Sequence, residues 1–196
     1  MIAPRTLAQR LEGARLAALA PAIVATLKPL YPGVTVKELP GRIDISDILA
    51  GDVYAAPMIG ICLTRIRQPI SVDGSFELPT DITAIIVTED QAIGSKAVER
   101  AELAYAIGLG LFEVLVDLDV ARWGLASITS PTDAEMRPLV TAKSYTAGTA
   151  YYALTWRQSL IGFGEDPLAR PPVETVETVL DGEAVALPAD LSGWPV

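Results

Sequence analysis

Serine and lysine stand side by side at Ser95-Lys96 and at Lys143-Ser144, the two residue types of a hydroxyl nucleophile with an amine base. Neighbours on a strand point to opposite faces, and a serine at a helix start ordinarily caps it, so both pairs read as structural. Carboxylates come close at Asp44 and Asp47 and at Asp117 and Asp119, oxygen donors of the calcium or magnesium kind. Neither pair has a glycine-bearing metal loop around it, and a solvated loop or helix end explains each. Gly108-Leu109-Gly110 falls inside a helical pattern instead of after a strand, and Gly162-Phe163-Gly164 lacks the lysine and hydroxyl of a phosphate loop. They read as close helix packing and a strand-ending turn. The chain has no histidine, which removes the usual general base and the commonest metal ligand. Its one cysteine, Cys62, sits in an apolar run where a buried, inert thiol is expected, and it supports neither an intrachain disulfide nor a Cys-based zinc site. The expectation is a protein that is not an enzyme, with no catalytic residue, metal or cofactor.

Function must then come from surfaces, and surfaces depend on the elements that carry them. An apolar share of 51% against 20% charged places the 196 residues among folded proteins of about one domain. The net charge is −9 and the basic residues (Arg5, Lys28, Arg65, Arg100, Lys143, Arg170) are scattered, so no basic footprint for nucleic acid is visible. Arginines at positions 5, 10 and 15 interrupt the Ala- and Leu-rich beginning, which reads as an amphipathic helix and not a signal peptide. The most apolar stretch, Leu103 to Leu118, contains Glu113 and Asp117 and falls short of a membrane span.

Leu7, Leu11, Ala14 and Ala18 recur at helical spacing from Pro4 to about Ala20, and Pro21 can open a second helical segment that Tyr31-Pro32-Gly33 ends. Val34 to Leu39 reads as a short strand, and the polar passage through Gly51 matches no element clearly. Pro57 to Arg67 alternates as a half-buried strand, and Ile70 to Leu78 reads as a hairpin turning at Asp73-Gly74. Ile82 to Thr88, rich in β-branched residues, reads as a central strand. Gly94 to Asp119 is the long helix, with Ser95 at its start. Short strands are expected at Ala126 to Thr129 and Pro138 to Lys143, joined by a turn at Ser130-Pro131-Thr132-Asp133, followed by a long strand from Thr149 to Leu160. The fold class is α+β: a mostly antiparallel sheet packed against an N-terminal helix and one long central helix. This domain spans residues 1–165. Residues 166–196 form a Pro-rich C-terminal extension ending in a second Asp-Gly hairpin, at Asp181-Gly182.

Two surfaces stand out. On the last long strand Tyr152, Leu154 and Trp156 share one face, which suits the core, while Tyr151, Ala153, Thr155 and Arg157 share the other. That outer face is either solvent-facing or a contact surface, since Tyr and Arg are favoured at interfaces. On the long helix Glu99, Glu102, Ala106, Gly110, Glu113 and Asp117 draw one narrow polar stripe, and the remaining apolar residues require cover from the domain itself or from a neighbouring subunit. Tyr151, Thr155, Arg157, Glu102 and Glu113 are the candidate interface residues.

The order of these elements, ending in MRPLVTAKSYTAGTAYYALTWRQSL with Arg137-Pro138-Leu139 leading to Tyr151-Tyr152-Ala153-Leu154-Thr155-Trp156, resembles the tail terminator proteins of long-tailed phages, in particular the Mu-like branch. The resemblance covers residues 1 to 163 and is one of element order more than of fixed letters. It implies a virion structural protein of the tail and neck, made in the host cytoplasm, that forms a ring of six on the tail tube. Such a ring halts tube growth and offers a surface to the head connector. The implied partners are copies of the chain, the tube protein and the head-completion protein, with DNA only as cargo through the lumen and no membrane. Another neck or head-closure protein would share this order and differ in stoichiometry. A small hydrolase using carboxylates and serine would need a concave pocket of convergent ionisable groups, and a monomeric module for an apolar ligand an internal cavity.

Overall fold

The computed structural model of the chain describes residues 4–40, 56–72, 75–139, 148–162, 177–180 and 183–186. Its framework is a mixed α+β fold in which a mostly antiparallel sheet carries helices on one face.

Helix α1 (Leu7–Glu12) is closed at its start by a capping box in which the Thr6 hydroxyl accepts from the Gln9 amide and the Gln9 side chain accepts from the Thr6 amide. The chain bends at Gly13-Ala14 and continues as α2 (Arg15–Leu30). The single helix expected to reach Ala20 is thus broken at Gly13, where glycine's helix propensity is poor. Pro21 opens no new segment; it lies inside α2, along with Pro29. Leu19, Ile23 and Leu27 of α2 are almost fully buried against the sheet, and that packing offsets the roughly 3 kcal/mol a helical proline costs. Leu7–Leu30 has the length and hydropathy of a membrane span, but these buried residues assign the apolar side of α2 to the core.

The sheet is built from β1 (Thr35–Glu38), β2 (Met58–Ile66), β3 (Ile70–Val72), β4 (Ser75–Glu89), β7 (Thr132–Pro138) and β8 (Thr149–Leu160), in the order β1-β2-β4-β8-β7. β3 pairs with the beginning of β4, forming the expected hairpin, whose tip at residues 73 and 74 lies outside the described residues. Among the described residues only the β1–β2 pair is parallel. β4 is the central strand; its 15 residues run without a break from the hairpin through Ile82–Thr88. Residues 82 to 88 are buried on both faces, and this explains an apolar run without clean alternation.

A small hairpin, β5 (Gln91–Ile93) and β6 (Lys96–Val98), precedes helix α3 (Arg100–Val116). The long helix therefore starts at Arg100 and not at Gly94, and Ser95 lies in the hairpin turn and caps nothing. Asp90 takes over at the helix start: its carboxylate accepts from the Arg100 amide at 2.7 Å. Asp117 ends the helix and accepts from the amides of Asp119 and Val120, closing a short 3-10 turn at Val120–Arg122. The turn expected at Ser130–Asp133 is partly strand: β7 begins at Thr132 and pairs along β8, while of Ala126–Thr129 only Ile128 makes a strand bridge, to Leu160. β7 is an exposed edge, so no apolar alternation marks it in the sequence.

Ile59, Ile61, Ile82, Ala84, Ile86, Leu154 and Trp156 form the inner face of the sheet and meet α2 and α3. At the end of this core the Gln158 side chain is buried and fully satisfied. Its oxygen accepts from the indoles of Trp123 (2.7 Å) and Trp156 (2.9 Å), and its nitrogen donates to the Ala121 and Thr129 carbonyls at 2.9 Å each. Trp123, with a left-handed φ of 56°, turns its ring inward to reach this site. β9 (Glu177–Leu180) and β10 (Glu183–Ala186) pair antiparallel in the extension where a second hairpin is expected, and residues 181 and 182 lie outside the described residues. Asp44, Asp47, Lys143, Ser144 and the Pro-rich run before β9 lie outside the described residues.

Candidate functional site

Helices α2 and α3 cover one face of the sheet, and the opposite face divides in two. Toward one end Met58, Cys62, Ile85, Val87 and Ala153 are buried under Leu39, Ala56, Leu139 and Tyr151. Burial pushes the Cys62 thiol up to about 11, so it stays protonated at neutral pH, in keeping with the inert thiol read from the sequence. Gly60 lies at this end because Leu39 passes over it: a Cβ there would stand 2.1 Å from the leucine side chain.

Toward the other end the face becomes polar. β4 places Asp81 directly opposite Arg157 on β8 and Arg65 on β2, with a bulge between Leu63 and Arg65. Asp81 accepts from Arg157 Nε at 2.9 Å and from Arg67 Nη2 at 2.6 Å and Nε at 3.3 Å. Arg157 reaches on through Nη1 to Asp133 at 2.7 Å. Thr155 donates to Glu135 at 3.5 Å, and Thr64 donates to the Asp81 carbonyl at 3.1 Å. Together Thr64, Asp81, Asp133, Glu135, Thr155 and Arg157 line an open groove of about 310 Å³. Burial alone would raise the Asp81 carboxyl, but the hydrogen bonds and charges of the two arginines outweigh it and hold the carboxyl below its ordinary range. Both oxygens of Asp81 are occupied by guanidinium groups. The cluster therefore holds β2, β4, β7 and β8 in register and presents a fixed pattern of charge; it is not arranged as a nucleophile with its base.

The second surface is α3. Leu103, Ala104, Ile107, Gly108, Leu111 and Leu115 face the sheet. Gly108 permits close contact, since a Cβ there would meet the Met136 sulfur of β7 at 2.3 Å; at Gly110 it would stand 2.9 Å from the Tyr31 hydroxyl. These two glycines are the packing positions expected from the sequence. On the outward side the polar stripe is present, with Glu102 ion-paired to Lys96 and Glu113 beside Tyr31 in an open groove. Burial, with the Glu113 charge adding to it, pushes the Tyr31 phenol well above its usual range. Yet the stripe is not the only exposed part of the helix: Tyr105, Leu109 and Val116 are 60%, 61% and 77% exposed, so the domain leaves an apolar ridge uncovered.

Thr155 and Arg157 are thus brought into one groove. Tyr151 shares their face but lies nearer its apolar end, where burial raises its phenol, and Glu102 and Glu113 lie on the helix beyond the opposite face. The five candidates occupy two surfaces instead of one. Arg67, Asp81 and Asp133 were missed, because charges in separate segments become partners only once strand register is known. No protein-family model matches the chain, and no curated protein matches it either.

Proposed function

We propose that the chain is a structural subunit that works by assembling with copies of itself, in the manner of the tail terminators that its element order resembles. In this reading six copies close into a ring on the end of a tail tube, stop its growth and present a docking surface to the head connector. The observation that carries the assembly reading is the apolar ridge Tyr105, Leu109 and Val116, left exposed on the helix that also supports the core. An uncovered ridge on a core helix is what an interface between subunits requires. The charge-paired outer face of the sheet supplies a second, polar surface suited to register and partner choice. Acidic net charge suits a lumen that DNA traverses without sticking.

Native mass spectrometry and light scattering over a concentration series test the reading, with negative-stain imaging of the product. The expected species has the mass of six 20.8 kDa chains and a central hole. A monomer at every concentration, or an open filament of variable length, rules the ring out.

A further inference from the structure

The apolar ridge of α3 has a counterpart elsewhere on the same chain. Helix α1 has no buried residue, and its Leu7 and Leu11 are 75% and 67% exposed. The Thr6 capping box and the junction with α2 hold α1 in place, but its leucines are left without cover. Leu7 and Leu11 are four apart and share a face, as do Tyr105 and Leu109 on α3, which gives the two apolar pairs the same spacing along their axes. One charge on each side is opposite. Arg10 stands beside the leucines of α1, with Glu12 turned away from them, whereas Glu113 flanks the ridge of α3 and Glu102 is already paired to Lys96.

We propose that α1 of one copy lies along the α3 ridge of the next, leucines against Tyr105, Leu109 and Val116, with Arg10 meeting Glu113. The inference rests on the assembly reading and names its contact. The two surfaces differ, so the contact is heterologous, the kind that makes a ring where its rotation closes. Gly13-Ala14, where α1 parts from α2, is the joint that sets the angle of the arm. Arg15 fixes the base of that arm by donating to the carbonyls of Ser127 and Ile161 at 2.9 and 2.8 Å.

The test uses the full chain. Leu7→Asp with Leu11→Asp changes only exposed positions, so thermal unfolding of the subunit stays put while the concentration for half-assembly rises about 100-fold or more. Arg10→Glu weakens assembly, and Glu113→Arg in the same chain restores it. In a Cys62→Ala background, mixing Leu7→Cys chains with Leu109→Cys chains yields a disulfide-linked pair of chains. Unchanged assembly in the leucine and arginine variants overturns the arm contact and leaves the ring standing. A disulfide formed only within a chain carrying both cysteines places α1 on its own α3 and overturns the exchange. A wild-type monomer at every concentration defeats the ring reading and the contact with it.

Discussion

Asp81 and its two arginines form a chain of charge from the segment after β2 across β4 to β8, and only one member, Arg157, is recognisable from the sequence as an outward-facing residue. The others became partners through the pairing of Asp81 with Arg157 and the placement of Arg67 just past β2. A carboxyl with a depressed folded-state pKa contributes stability that is fully present above its unfolded value of about 3.8 and is lost as pH falls through the folded value. Asp81→Asn removes this contribution at all pH values. The arginines are about a third exposed, so solvent screening limits the difference between the two proteins to ~1 kcal/mol at neutral pH. Urea midpoints should show a constant gap from about pH 7 to pH 5 that closes below about pH 4. A gap unchanged at about pH 3 would show that the carboxylate form contributes nothing.

At the scale of elements, α3 was legible because apolar residues fill so much of it, and its glycines announced close packing. Its start was misread by six residues, since Ser95 resembles a cap while Gly94-Ser95 turns the β5–β6 hairpin instead. β7 escaped notice because an exposed edge strand has no buried face to impose alternation. The contact between these two elements makes a prediction. Gly108→Ala gains about 1 kcal/mol of helix propensity, and the new methyl meets only the far end of the flexible, half-buried Met136 side chain, which swings aside at a cost that offsets part of that gain. The substitution should stabilise the wild type by less than it stabilises a Met136→Ala protein, where the full gain of about 1 kcal/mol appears, a coupling that denaturation of the four proteins measures directly. Additive effects would mean that helix and strand do not meet at this position.

For the molecule as a whole, the α+β class and the central place of β4 could be read from residue patterns. The parallel pairing of β1 with β2 could not, because hydrophobic alternation is indifferent to strand direction. Nor could the division of the candidate residues between two sides of the sheet, which follows from strand order and not from any local signal. The Gln158 knot ties the turn at Val120–Trp123 and the Thr129 segment to β8, beside the Thr129–Ser159 hydrogen bonds. Replacing it by Leu leaves two indole donors unpaired in the core and should lower stability by about 2–4 kcal/mol. The same knot sets the Trp123 and Trp156 rings 6.2 Å apart at 44°. Two indoles held at a fixed angle in a rigid setting give a strong near-ultraviolet circular dichroism band, which Gln158→Leu should abolish while the far-ultraviolet spectrum persists. The pair is buried in the core, away from the outward ridge of α3, so docking of an arm should leave the band untouched. The protein thus carries an optical gauge of its own folding that is blind to its stoichiometry, and a loss of assembled mass can be told from a loss of structure without any added label.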